Sequence, residues 1–143
     1  MPEDSSVQGG CSCGAVRYEA SATALLGSTV CHCQTCRRVA GAPAVAWVTF
    51  AAERFRFTQG QPVAFNSSPG VRRTFCPACG TPLTYALAAT PSELDVTTCS
   101  LDHPEAFPPT HHSWLSHNLP WLRFGDGLPT YPESRSDSPS ASA

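Results

Sequence analysis

Apolar and polar positions alternate with period two through most of this chain. In Ala15–Ala20, Val16, Tyr18 and Ala20 alternate with Arg17 and Glu19, as in a strand with one buried face. Phe55 and Phe57 alternate with Arg54 and Arg56 in the same way. Ala44–Phe50 is a more continuous apolar run containing Trp47 and Phe50, the pattern of a central strand. Val63–Phe65, Val71–Phe75, Leu83–Leu87 and Leu94–Thr98 are further short strands, separated by turn residues such as Gln59-Gly60, Ser68-Pro69-Gly70 and Thr90-Pro91-Ser92. One helical turn is expected over Thr35–Ala40, stopped by Gly41, and 14 widely spread prolines disfavour long helices. The pattern predicts a mostly-β domain of short strands, with cysteines at strand ends and turns.

The two ends lack this pattern. Residues 1–8 read as a flexible tail, and residues 132–143, rich in Ser, Pro and Ala, read as a disordered one, leaving a folded domain over 9–131. A length of 143 residues suits one domain, and 41% hydrophobic residues suffice for an ordinary core without help from metal. A net charge of −2 and a pI near 6.2 argue against a nucleic-acid or anionic-membrane binder. No segment approaches the roughly 20 apolar residues of a membrane span. Met1–Gln8 is acidic and polar rather than basic and then apolar. A cytoplasmic protein is therefore expected. In that reducing setting eight cysteines read as metal ligands rather than disulfides.

Seven of the eight fall into three motifs: Cys11-Ser12-Cys13, Cys31-His32-Cys33-Gln34-Thr35-Cys36, and Cys76-Pro77-Ala78-Cys79-Gly80. Residues i and i+2 of an extended segment project to one face, so Cys11 with Cys13, and Cys31 with Cys33, can each offer two sulfurs to one ion. The third motif is a tight knuckle, in which Pro77 presets φ and Gly80 can take the left-handed conformation that turns the chain around a metal. Zinc takes four tetrahedral ligands in a structural site and keeps one position open in a catalytic one. Two zinc ions per chain follow: a closed structural site from Cys11, Cys13, Cys76 and Cys79, and an open site from Cys31, Cys33 and Cys36. An alternative partition groups Cys11, Cys13, Cys31 and Cys33 and strands Cys36. A fourth ligand for the open site could come from Cys99, from His32 or from a downstream histidine.

These residues, in their contexts, carry a resemblance. Gly9-Gly10-Cys11-Ser12-Cys13-Gly14, Cys31-His32-Cys33-Gln34-Thr35-Cys36-Arg37-Arg38, Gly41-Ala42-Pro43, Phe75-Cys76-Pro77-Ala78-Cys79-Gly80-Thr81-Pro82-Leu83 and Ser100-Leu101-Asp102-His103-Pro104, followed by Trp121, Asp126 and Leu128-Pro129, resemble the glutathione-dependent formaldehyde-activating enzyme family over about Val7–Tyr131. The resemblance implies a β-tent (Mss4-like) fold with two zinc sites divided as above. It implies condensation of formaldehyde with glutathione to S-hydroxymethylglutathione, a carbon–sulfur lyase reaction in reverse. Cys99 departs from the family pattern, which has a small residue other than cysteine there.

An open zinc deprotonates an incoming thiol, and a thiolate attacks an aldehyde carbon. Three cysteine thiolates leave Zn²⁺ with a net negative site, so nearby cations matter. Arg37 and Arg38 follow the cluster and Arg72 and Arg73 precede the knuckle, as candidates for the carboxylates of glutathione or as solvated surface charge. His32, between two ligands, is expected to face the other way, hydrogen-bonded or outward, with a proton shuttle as its sharper reading. His111, His112 and His117 surround Trp114 and read as mainly structural. No phosphate loop, Ser-His-Asp ordering or dinucleotide fingerprint appears. Three functions share this pattern: a glutathione–aldehyde enzyme, a non-catalytic binder of glutathione or another small thiol, and an interaction module with two structural zincs.

Overall fold

Every strand expected from the alternation is present in the computed structural model, which describes residues 5–135. The elements are β1 (Ser6–Gly10), β2 (Arg17–Ser21), β3 (Leu25–Cys31), α1 (Gln34–Ala40), β4 (Val45–Ala51), β5 (Phe55–Gln59), β6 (Val63–Ser68), β7 (Val71–Phe75), β8 (Pro82–Leu87), β9 (Glu93–Thr97) and β10 (His111–Ser113). The described residues are mostly β with one α-helix, and their remaining helical residues form three-residue 3-10 turns. Gly41 ends α1 in the left-handed conformation, its N–H returning to the Arg37 carbonyl. Among the described residues no helix is long and apolar enough to cross a membrane.

The span expected as one domain divides into two compact units. The first holds the described residues up to 27 together with 48–107; the second holds 28–47 together with 108–135. β4 runs from one into the other at Trp47-Val48.

In the first unit β1, β2 and β5 form an antiparallel sheet, and β9, β8, β7 and β6 lie side by side in that order. Val16 at the entry to β2, and Tyr18 and Ala20 within it, turn inward onto Val48, Phe50, Leu83, Val96 and Leu101. Each large side chain buried in this way contributes about 1.5–3 kcal/mol. The opposite face of β2 is polar: Glu19 pairs with Arg56 across the β2–β5 register. Arg17 holds Asp102 through two hydrogen bonds, one of them 2.9 Å.

β1 is explained by backbone rather than side-chain burial. Residues 6–8, assigned to a flexible tail by their polarity, pair with β2, Val7 opposite Ala20 and Gln8 opposite Glu19. Gly9 lies so close to β2 that a methyl there would sit 2.4 Å from the Tyr18 hydroxyl and 2.6 Å from the Ser100 carbonyl oxygen. Buried Tyr18 meets the Ser100 hydroxyl at 2.6 Å, and burial pushes its own hydroxyl up to about 12.

In the second unit β10 runs parallel to β3, with His112 opposite Val30 and Ser113 opposite Cys31. The chain after β10 stays attached to it: the Tyr131 N–H donates to the His112 carbonyl, and the Trp114 N–H to the Glu133 carbonyl. Within the expected tail over 132–143, Pro132 and Glu133 are held by backbone bonds from Ser116 and Trp114. Residues 1–4 and 136–143 of the two expected tails lie outside the described residues.

Candidate metal centres and their surroundings

The sulfurs of Cys11, Cys13, Cys76 and Cys79 lie within 4.8 Å of one another. Two turns bring them there. The Gly14 N–H closes the first onto the Cys11 carbonyl, and the Gly80 N–H closes the second onto the Cys76 carbonyl at 2.8 Å. Gly80 has φ 79°, the left-handed conformation expected of the knuckle. Cys11 and Cys76 belong to the apolar core, while Cys13 and Cys79 are exposed. Thr81 joins the turns: its hydroxyl oxygen accepts the Ser12 N–H at 3.0 Å and lies 3.2 Å from the Cys79 sulfur, to which its proton is free to donate.

This donor set fits zinc. Four sulfurs about 2.3 Å from a tetrahedral centre stand about 3.8 Å apart. Cys11–Cys13 is 3.5 Å and Cys13–Cys76 is 3.9 Å. The electrostatics call for a cation. The Thr81 hydroxyl and N–H hold the Cys79 thiol down at about 5. Cys13 is pushed up to about 11: a backbone bond from Ala15 favours its thiolate, but the sulfurs of Cys11 and Cys79 outweigh it. Four clustered thiolates repel one another unless a positive ion sits among them.

The second group is Cys31, Cys33 and Cys36, again within 4.8 Å. Cys31 ends β3, Cys33 caps α1, and Cys36 lies in the first turn of that helix. The Cys33 sulfur accepts the Cys36 N–H at 3.2 Å. Cys31 and Cys36 are buried and Cys33 is half-buried. The sulfurs of Cys33 and Cys36, then burial, push the Cys31 thiol far up. Three soft donors with three charges to neutralise also suit zinc. These groups follow the partition drawn from spacing, and the alternative set with Cys11, Cys13, Cys31 and Cys33 does not form. Cys99 is exposed on the 3-10 turn Thr98–Ser100 of the first unit and belongs to neither group.

The arginines separate by environment. Arg38 is exposed, and Arg37 is half-buried with its guanidinium on the His117 carbonyl at 3.3 Å. Arg72 and Arg73 are neighbours on β7 and therefore face opposite ways. Arg72 is exposed. Arg73 is buried, bonded to the Ser67 hydroxyl at 2.8 Å and lying over the Tyr85 ring at 4.9 Å. As a substrate contact Arg73 is thus corrected: its guanidinium is spent inside the first unit.

His32 is the residue whose surroundings the sequence leaves open. It is buried, as is His112, and its Nε2 meets His112 Nδ1 at 3.0 Å. His112 Nε2 in turn meets Asp126 Oδ2 at 2.8 Å. Phe124 packs against both rings, with centroids 4.6 Å from His112 and 5.3 Å from His32. Burial, then the neighbouring charges of His112 and Arg37, push His32 down to about 4, so it is neutral at pH 7. Burial raises the Asp126 carboxyl, but hydrogen bonds from the Leu128 N–H and His112 outweigh it and hold it below the usual range. A carboxylate only accepts, so His112 donates from Nε2 to Asp126, and its Nδ1 shares one hydrogen bond with His32 Nε2. His32 Nδ1 is buried with no hydrogen-bond partner among the described residues. Asp126 stands in the sequence only as part of the C-terminal resemblance; its pairing with His112 has no local spacing signal. His111 packs edge-on against Tyr131, and His117 Nδ1 accepts the Gln34 N–H.

Comparison with known proteins gives three results. The sequence profile described as glutathione-dependent formaldehyde-activating enzyme matches residues 6–117. A crystal structure of a Rhodobacter sphaeroides protein aligns with a TM-score of 0.57 at 25% sequence identity, covering 66% of this chain and 87% of that one. No curated protein matches the chain.

Proposed function

The chain belongs to the glutathione-dependent formaldehyde-activating enzyme family, and on that premise we propose that it is a carbon–sulfur lyase that joins glutathione to formaldehyde as S-hydroxymethylglutathione and reverses the reaction. The addition is atom-neutral: the thiol S–H breaks, the carbon–sulfur bond forms, and the carbonyl oxygen takes the proton. In this reading Cys11, Cys13, Cys76 and Cys79 hold a structural zinc, and Cys31, Cys33 and Cys36 hold the catalytic one. Bound there, zinc supplies the charge that keeps a thiol ionised and a carbonyl polarised.

The observation that carries the proposal is the count of sulfurs. One group offers four donors and the other three, and zinc takes four, so the second leaves one position for substrate. The chain's own residues prepare that place. Cys36 is fixed in the first turn of α1, and Cys33 is oriented by the Cys36 N–H. The Arg37 guanidinium, tethered to His117, stands one residue beyond Cys36, and Arg38 is exposed beside it, so this pair rather than Arg73 suits one carboxylate of glutathione. None of the eight cysteines is joined in a disulfide, in keeping with a cytoplasmic setting.

The test is the rate of S-hydroxymethylglutathione formation above the uncatalysed reaction, measured with zinc content. The unaltered chain is expected to carry two zincs and to accelerate the reaction. Cys36→Ser is expected to keep one zinc and lose the acceleration. An unchanged rate in Cys36→Ser would overturn the assignment of the open site, and two chelator-resistant zincs without glutathione binding would leave an interaction module.

A further inference from the structure

The second unit contains a cavity of about 590 Å³ lined by His32, His112 and the chain from Leu115 to Thr130. That volume is in the range of small-molecule sites, on the order of 300–1,000 Å³. It far exceeds what formaldehyde, with one carbon and one oxygen, requires. The cavity meets the cysteine cluster through the backbone, since His32 stands between Cys31 and Cys33.

Its chemistry is specific. Leu115, Leu122, Phe124 and Leu128 give it apolar wall. Arg123 also lines it, exposed and with no ion pair or hydrogen bond among the described residues. It is the cation available there, because Asp126 is engaged by His112. His32 lines it too, nine-tenths buried or more, with Nδ1 unpartnered among the described residues. A carboxylate and a hydrogen-bonding polar group, on a body large enough to cover the leucines, would satisfy both.

We infer that this cavity binds the peptide body of the thiol substrate, with Arg123 on a carboxylate and His32 Nδ1 hydrogen-bonded to an amide of that body. The inference rests on the glutathione reading above and adds where the tripeptide is recognised. The segment from Asn118 to Thr130, which has no regular strand or helix, becomes the recognition strap, fastened to β10 by the Asp126–His112 bond. Formaldehyde needs no pocket of its own in this arrangement.

Titration calorimetry on the zinc-loaded full chain tests this, using glutathione, its ethyl ester and S-methylglutathione. Arg123→Glu is expected to weaken glutathione binding by roughly tenfold or more. On the unaltered chain the ester is expected to lose a similar factor, and on Arg123→Glu to lose little further, because the two changes remove one contact. Leu128→Trp, checked for an unaltered circular dichroism spectrum, is expected to weaken all three ligands by filling the cavity. S-methylglutathione is expected to keep its affinity for Cys36→Ser, which leaves the cavity intact. Unchanged glutathione affinity in both Arg123→Glu and Leu128→Trp would overturn the cavity while leaving the glutathione reading in place. No glutathione binding by the unaltered chain would overturn both.

Discussion

Ser12 donates its backbone N–H to the Thr81 hydroxyl oxygen at 3.0 Å, and that bond, spanning 69 residues, ties the Cys11–Cys13 turn to the Cys76–Cys79 knuckle. The same hydroxyl lies 3.2 Å from the Cys79 sulfur. One side chain thus orients a sulfur and aligns the two turns that carry all four.

Thr81→Val keeps the shape and removes the hydroxyl. Hydrogen bonds behind metal ligands are worth about 10–100-fold in metal affinity, and a loss of that order is expected at the four-cysteine site, with about 1 kcal/mol of stability. Thr81→Ser is expected to retain both. Chelator competition alongside urea unfolding checks this; equal zinc affinity in all three chains would contradict it.

Chelation is expected to proceed in two steps. The three-cysteine group holds its ion with fewer sulfurs, so it empties first and without loss of β structure. The four-cysteine group includes Cys11 and Cys76 of the apolar core, so its ion leaves together with unfolding of the first unit. Zinc release followed with a colorimetric indicator and circular dichroism at once checks the order. A single simultaneous step would refute it.

Gly9→Ala places a methyl 2.4 Å from the Tyr18 hydroxyl and 2.6 Å from the Ser100 carbonyl. The carbonyl is backbone and the tyrosine is fully buried, so neither yields easily. A loss of about 2 kcal/mol is expected from this overpacking. Thermal unfolding measures it, and a melting temperature unaffected by the substitution would show that β1 can move away from β2.

Asp95 makes stability depend on pH. Burial pushes its carboxyl up to about 6 from an ordinary 3.8, against the opposing hydrogen bond from the Thr49 hydroxyl. The folded chain therefore holds this proton more tightly than the unfolded chain. The group costs nothing at low pH, and its cost grows as pH rises from about 4 through about 6. Asp95→Asn stays uncharged, so its stability relative to the unaltered chain is expected to improve across that window by on the order of 2 kcal/mol. Comparing both chains at each pH cancels the cysteine titrations that they share. A difference independent of pH would contradict the assignment.

Legibility followed the range of the interaction. The alternation of Val16, Tyr18 and Ala20 marks β2 because pleating turns every second residue inward, and Gly41 marks the end of α1 because it can turn left-handed. The opposite faces of Arg72 and Arg73 follow from the same pleat, although their adjacency suggests a pair. β1 and β10 escape such reasoning. Ser6–Gly10 holds one large apolar residue, and His111–Ser113 is wholly polar yet wholly buried. Both are strands because a neighbouring backbone receives them.

The sequence by itself determined the two groups of sulfurs, since spacings of two and three residues act through backbone geometry that needs no distant partner. Only the tertiary structure decided what surrounds them. Thr81 reaches Ser12 across 69 residues, and His112 reaches His32 across 80. Such bonds depend on which segments pack together once the apolar faces are buried, and no local pattern of residues encodes that choice.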